Sequence, residues 1–191
     1  VAPSKASGGT VRLPAFILDA ENINHKVLWK ISDGCGNVDQ CESTVMVVDK
    51  KAPTPYCIAL STALMQSNPK MVELWARDFY QGAFDNFTPQ SKLYFTFDEI
   101  APIYARVNEE HFYKEGPNGS VNATLAEYNA GRAYKWLPSS RSAGKVWTAA
   151  GEYTVNVSVW DEAWNTDFCS TNLKVISNED APFIYEKTGN R

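Results

Sequence analysis

The chain is short of the features that announce chemistry or a membrane. It has two histidines, no cysteines in a C-x-x-C pair, and no apolar run near the ~20 residues that a membrane helix needs. There is no G-x-S-x-G, no phosphate loop and no H-E-x-x-H, and His25 and His111 sit in polar contexts without an obvious Ser or Cys partner. Positive charge is not in excess: 18 Lys and Arg stand against 22 Asp and Glu, a net charge of -4, so the basic stripe expected of a nucleic-acid binder is missing. Adjacent acids such as Asp98-Glu99 and Glu109-Glu110 read as solvated surface rather than as a glycosidase pair. The expectation is a protein that is not an enzyme, takes no nucleic acid and has no membrane span. The start, Val1-Ala2-Pro3-Ser4, carries neither a Met nor a charged-then-apolar signal, and reads as a piece of a longer polypeptide.

What the chain does have is an internal repeat. Val27-Leu28-Trp29-Lys30-Ile31-Ser32-Asp33 leads to Asn37, Cys41 and, after a polar stretch, Ala52-Pro53. Val155-Asn156-Val157-Ser158-Val159-Trp160-Asp161 leads to Asn165, Cys169 and Ala181-Pro182. Placing Asp33 on Asp161 also places Val45 on Leu173 and Val47 on Val175 without a gap, so the match spans two strands and the turn between them. Self-similarity at a domain-sized period marks an array, which serves reach and adhesion more often than chemistry. At the common domain size of roughly 100 to 150 residues, the length allows one domain and fragments. The repeat divides the chain into residues 1–52, the closing part of an upstream module, residues 53–182, a complete module, and residues 183–191, the start of a following module or an assembly tail.

Within the complete module Tyr153, Val155, Val157 and Val159 alternate with Thr154, Asn156, Ser158 and Trp160. Leu93, Phe95 and Phe97 alternate likewise, as do Val72, Leu74 and Ala76. Short period-two strands separated by Gly, Asn, Asp and Pro predict an all-β, immunoglobulin-like antiparallel sandwich. Residues 98–150 read as an irregular insertion, polar at Glu115-Gly116-Pro117-Asn118-Gly119-Ser120, with a short helix expected around Leu125 to Ala133.

Gly151-Glu152-Tyr153-Thr154-Val155 leading into Trp160-Asp161-Glu162-Ala163, Asn165, Cys169 and Ala-Pro resembles the hyalin-repeat class of immunoglobulin-like modules. Val72-Glu73-Leu74-Trp75-Ala76-Arg77-Asp78-Phe79, with Phe84-Asp85-Asn86 and Thr88-Pro89, is similar to the version strung along giant surface proteins of gliding and predatory bacteria, exported by the type IX pathway. The resemblance covers residues 27–97 and 151–183. It departs at Phe87, where those modules carry Cys, and at Trp164, where they carry Gly. What it implies is an extracellular structural or adhesive module, part of a long filament or cell-surface adhesin.

Four cysteines in such a chain read as disulfides rather than as a zinc site. Cys57 opens the complete module and Cys169 stands on its last strand, sharing a face with Thr171, Leu173 and Val175, so a bridge between them would tie first strand to last. Cys41 has Cys35, another chain, or a free state open to it, and the even count favours Cys35. Asp33 with Asn37, and Asp161 with Asn165, bracket turns that Asp and Asn cap through their own backbone. A sharper reading of Asp78, Asp85 and Asp161 is a calcium site at one end of the sandwich, calcium being the one cofactor the sequence suggests. Trp29 aligns with inward Val157 and is expected in the core. Trp160 alternates outward with Ser158 and Trp164 sits on a turn, where such rings anchor a partner or, more often, are covered by a neighbouring module or loop. The tail residues Phe183 and Tyr185 have the form of an opening strand, and the expected partners are copies of the chain or adjacent repeats, joined head to tail by strand addition. The alternative is a carbohydrate- or receptor-binding module that takes surface glycans through Tyr104, Tyr113, Tyr128, Tyr134 and Trp136 of the insertion.

Overall fold

The computed structural model describes residues 24–46, 48–65 and 68–177. They fall into two compact units divided between Lys50 and Lys51.

The first unit is a hairpin of β1 (Asn24–Ser32) and β2 (Val38–Met46), antiparallel from Ser32 opposite Val38 to Asn24 opposite Met46. Its turn is built around Asp33, whose Oδ1 accepts the Cys35 and Asn37 N–H groups at 2.8 and 3.1 Å. Gly34 and Gly36 take positive φ there, which a side chain would disfavour. These contacts, the Asn37 amide first, hold the Asp33 carboxyl below its usual pKa. Trp29 was expected in a core, yet its ring is exposed and its Nε1 donates to Ser43 Oγ at 3.1 Å. The reason is the topology: among the described residues the two strands form a sheet of their own.

The second unit is an all-β sandwich. In chain order its strands are β3 (Thr54–Cys57), β4 (Leu60–Met65), β5 (Val72–Trp75), β6 (Tyr80–Phe84), β7 (Tyr94–Phe97), β8 (His111–Gly116), β9 (Gly119–Asn122), β10 (Tyr134–Leu137), β11 (Ser142–Trp147), β12 (Gly151–Trp160) and β13 (Thr166–Ser177). The large sheet runs β4-β13-β12-β7-β11-β10-β8-β9, with β5 also paired to β11, while β3 and β6 form a separate two-stranded sheet. Val155, Val157 and Val159 of β12 and Thr171, Leu173 and Val175 of β13 are buried on the face that period-two alternation assigns to the core. Cys57 and Cys169 are bonded, Cα to Cα 5.7 Å, which clips the small sheet to the large one. Thr171 Oγ1 donates to the Ile58 carbonyl beside the bridge.

Two expectations are corrected. The face of β12 read as outward is covered at its far end: Ser158 is fully buried, and Trp160 is 8% exposed with Nε1 donating to Thr96 Oγ1 at 2.8 Å. A strand paired on both sides, with β13 and β7, can be covered on both faces, so alternation of residue type does not there mean exposure to water. Nor is the insertion irregular. Residues 98–150 contribute β8, β9, β10 and β11 to the large sheet and bury Tyr113, Tyr134, Trp136, Val146 and Trp147. The expected helix is α1 (Leu125–Asn129), started by a reciprocal cap in which Thr124 Oγ1 accepts the Glu127 N–H and the Glu127 carboxylate accepts the Thr124 N–H.

Burial of these phenols couples the fold to pH. Desolvation raises the pKa of Tyr113 well above normal, with Tyr134 and Asp98 adding to it. It raises Tyr128 and Tyr134 as well, helped by the carboxylates they donate to, Glu73 and Asp98 respectively. Each must stay protonated in the folded state. The stabilisation this represents is therefore complete below about pH 10, where a free phenol titrates, and is lost as pH rises above it. Absorbance titration of phenolate should show these three of the nine tyrosines ionising only as the fold is lost, and Tyr134→Phe should move the alkaline unfolding midpoint upward. Smooth titration of all nine in the folded state would contradict this burial. The bridge closes a loop of 112 residues' separation, which in the chain-entropy account stabilises by about 4 to 5 kcal/mol. The double variant Cys57→Ala/Cys169→Ala should lower the melting temperature by well over ten degrees, and reduction of the parent should reproduce the loss.

Candidate functional site

The residues with the most connected chemistry lie around the turn between β12 and β13. Asp161 there is fully buried. Its Oδ1 accepts the Asn165 N–H at 2.8 Å and its Oδ2 the Asn165 side-chain amide at 2.7 Å, and the Asp161 N–H donates to the Asn165 carbonyl at 3.1 Å. The first hairpin has the same turn, with Asp33 holding Asn37 through the same atoms. A second Asp-centred turn approaches it. Asp85 Oδ1 accepts the N–H groups of Phe87 and Thr88, and Thr88 Oγ1 in turn accepts the Glu162 N–H at 3.2 Å. This link brings carboxylate oxygens of Asp85 and Asp161 within 4.8 Å of each other.

Of the three acids expected to bind calcium, the structure brings together only these two. Asp78 accepts the Trp75 N–H at 2.8 Å and caps the short 3-10 turn Ala76–Phe79, apart from the pair. Two carboxylates at such a separation repel by roughly 3 kcal/mol at an effective dielectric of ~20. Several backbone hydrogen bonds of about 1 kcal/mol each offset that. Asp85 Oδ2 is shielded from solvent and accepts no hydrogen bond. A hard cation bridging the pair would remove the repulsion and satisfy that oxygen, but calcium takes about six to eight oxygens, more than these two carboxylates supply.

Trp164 occupies the same turn, in the left-handed region at φ 66°. Glycine has no Cβ to strain there, and its replacement needs a reason. The reason is a stack. The Trp164 indole lies on the Tyr94 ring, 5.1 Å between centroids and 16° between planes. The Arg106 guanidinium lies 4.7 Å from the Trp164 ring centroid, and that of Arg141 4.5 Å from the Tyr94 ring centroid. Glu162 ties the stack to the turn through Lys92 at 3.1 Å and Arg141 at 3.7 Å. Trp164 is thus half-buried against Tyr94 and Arg106, and Trp160 is buried. Arg106 and Arg141 escaped the sequence reading. The signal that could have found them was the aromatic residue standing where the turn favours glycine.

The remaining candidates divide between the two units and the ends. The expected Cys35–Cys41 bridge is not formed: both thiols are free and exposed. Cys35 sits in the turn with its N–H held by Asp33, whereas Cys41 lies well inside the strand ladder opposite Trp29. Phe183 and Tyr185 lie outside the described residues.

Millimolar calcium should raise the melting temperature by a few degrees over that in excess chelator, by mass action on the folded state, and Asp85→Asn should abolish the difference. Identical melts would leave Asp85 and Asp161 as turn caps alone. Trp164→Gly relieves a conformational cost of about 1 to 2 kcal/mol but loses a stacked ring and a cation contact, together worth about 2 to 3 kcal/mol. The variant should therefore be less stable than the parent in denaturant titration; equal or greater stability would show the stack to be energetically idle. No protein-family model matches the chain and no curated protein matches it, so function is argued from this geometry.

Proposed function

We propose that the chain is a structural repeat segment of a long extracellular filament or cell-surface adhesin, of the hyalin-repeat, immunoglobulin-like kind. One observation carries this reading. The hairpin β1–β2 and the hairpin β12–β13 have the same register at aligned positions: Val27 opposite Ser43 matches Val155 opposite Thr171, and Trp29 opposite Cys41 matches Val157 opposite Cys169. A module end built twice within one chain, closed by the same Asp–Asn turn, supports an array of such modules. The Cys57–Cys169 bridge suits an oxidising, extracellular setting. In such an array the sandwich works mechanically: strand ladders and a sheet-to-sheet disulfide resist extension, and neighbouring modules join by strand addition.

The glycan-binding reading rested on five aromatics of the insertion. Tyr113, Tyr128, Tyr134 and Trp136 are in the cores, which leaves Tyr104, and its ring lies against His111 at 3.7 Å.

Light scattering and negative-stain electron microscopy on the 191-residue chain test the reading. Linear, concentration-dependent assemblies are expected, and truncation after Asn178 or Phe183→Asp should weaken them about tenfold or more, as for loss of one interface anchor. A monomer at every concentration that instead binds a defined sugar on a glycan array, with binding lost on Tyr104→Ala, would overturn it.

A further inference from the structure

The two hairpins are the same structure in two environments. In the second unit the face bearing Val155, Val157, Val159 and Cys169 is covered: the valines are at most 5% exposed, and Cys169 is bonded to Cys57 on β3. At the aligned positions of the first unit, Trp29 is 38% and Ile31 67% exposed, and Cys41 is a free, exposed thiol. The opening strand Thr54–Cys57 with its cysteine is one part of what covers the face of β12–β13, and among the described residues it has no counterpart over that of β1–β2.

We propose that the face of β1–β2 bearing Val27, Trp29, Ile31 and Cys41 is a docking surface for an extended, cysteine-bearing strand of the chemistry of Thr54–Cys57, which seals it with a disulfide to Cys41. The partner segment is supplied from beyond these residues. Cys57 and Cys169 already hold each other, Cys35 is tied into the turn, and residues 1–23 contain no cysteine. A second copy does not supply it, because its own Thr54–Cys57 strand is paired with β6 and its Cys57 is bonded. The occupant is thus the opening strand of another module in which that strand is unpaired. The exposed apolar side chains supply the non-covalent part of the interaction, and strand docking holds the partner thiol beside Cys41 at high effective concentration. The chemistry balances with a low-molecular-weight disulfide as oxidant. Cys41 thiolate attacks glutathione disulfide and releases one glutathione thiolate; the partner thiolate then attacks the Cys41 sulfur and releases the second, so two thiols lose two protons and two electrons to one glutathione disulfide. The proposal rests on the repeat reading for the source of the strand, not on whether filaments form.

The test uses the full 191-residue chain in a glutathione redox buffer with a synthetic peptide of the sequence of residues 51–65, and a scrambled peptide of the same composition as control. Mass-spectrometric peptide mapping should find the peptide on Cys41 in about tenfold preference over Cys35, since only Cys41 gains from docking, and the scrambled peptide should show no such preference. Hydrogen exchange across residues 27–31 and 41–45 should slow when the matching peptide is attached. A Cys35→Ser variant should capture the peptide as well as the parent does. Equal labelling of both thiols, equal capture of the scrambled peptide, a Cys41–Cys41 dimer as the main product, or slow exchange across the hairpin before peptide is added would each overturn the proposal. Loss of linear assembly with peptide capture intact would instead sink the filament reading and leave this surface standing.

Discussion

The grip of the buried Asp161 carboxylate on Asn165 is the constraint on which the rest of the second unit depends. By binding both the backbone and the side chain of a residue four positions on, it sets the length of the turn, and the turn sets the register of β12 against β13. A slip of one residue would move Cys169, Thr171, Leu173 and Val175 to the opposite face. The bridge to Cys57 would then be unreachable, and the core would lose a wall. The same grip in the first hairpin yields the same register in a nearly solvated setting, so the turn organises its strands without help from a core.

Upon that hairpin the unit adds a second layer of control from the insertion. Arg106 and Arg141, both supplied by residues 98–150, close over the Trp164–Tyr94 stack, while Lys92 and Arg141 converge on Glu162. The insertion also carries Tyr113, Tyr134 and Trp136 into the main core. It is a structural part of the sandwich, and its aromatics are occupied within it.

The contrast between the hairpins says what a module end requires. Turn chemistry and alternation suffice to form the ladder, but burying its apolar face takes an opening strand and a second layer. Where these are present, the valines of β12 are sealed and a thiol is oxidised; in the first hairpin, with neither among the described residues, a tryptophan, an isoleucine and a thiol are exposed.

The all-β class, the Asp–Asn turns and the Cys57–Cys169 pairing were legible in the sequence, because each rests on a local pattern or on parity of faces along a strand. The strands of the insertion were less so: they are short, interrupted by Gly, Asn and Pro, and gain their places from pairing with distant neighbours. Whether Trp160 faces water depended on β7 lying along β12, and whether Trp29 is covered depended on packing that the alternation of its own strand does not specify. The approach of Asp85 to Asp161 and the arginines around Trp164 were decided by tertiary structure alone. Those contacts join residues far apart in the chain, and no period or spacing encodes which of its distant loops will meet.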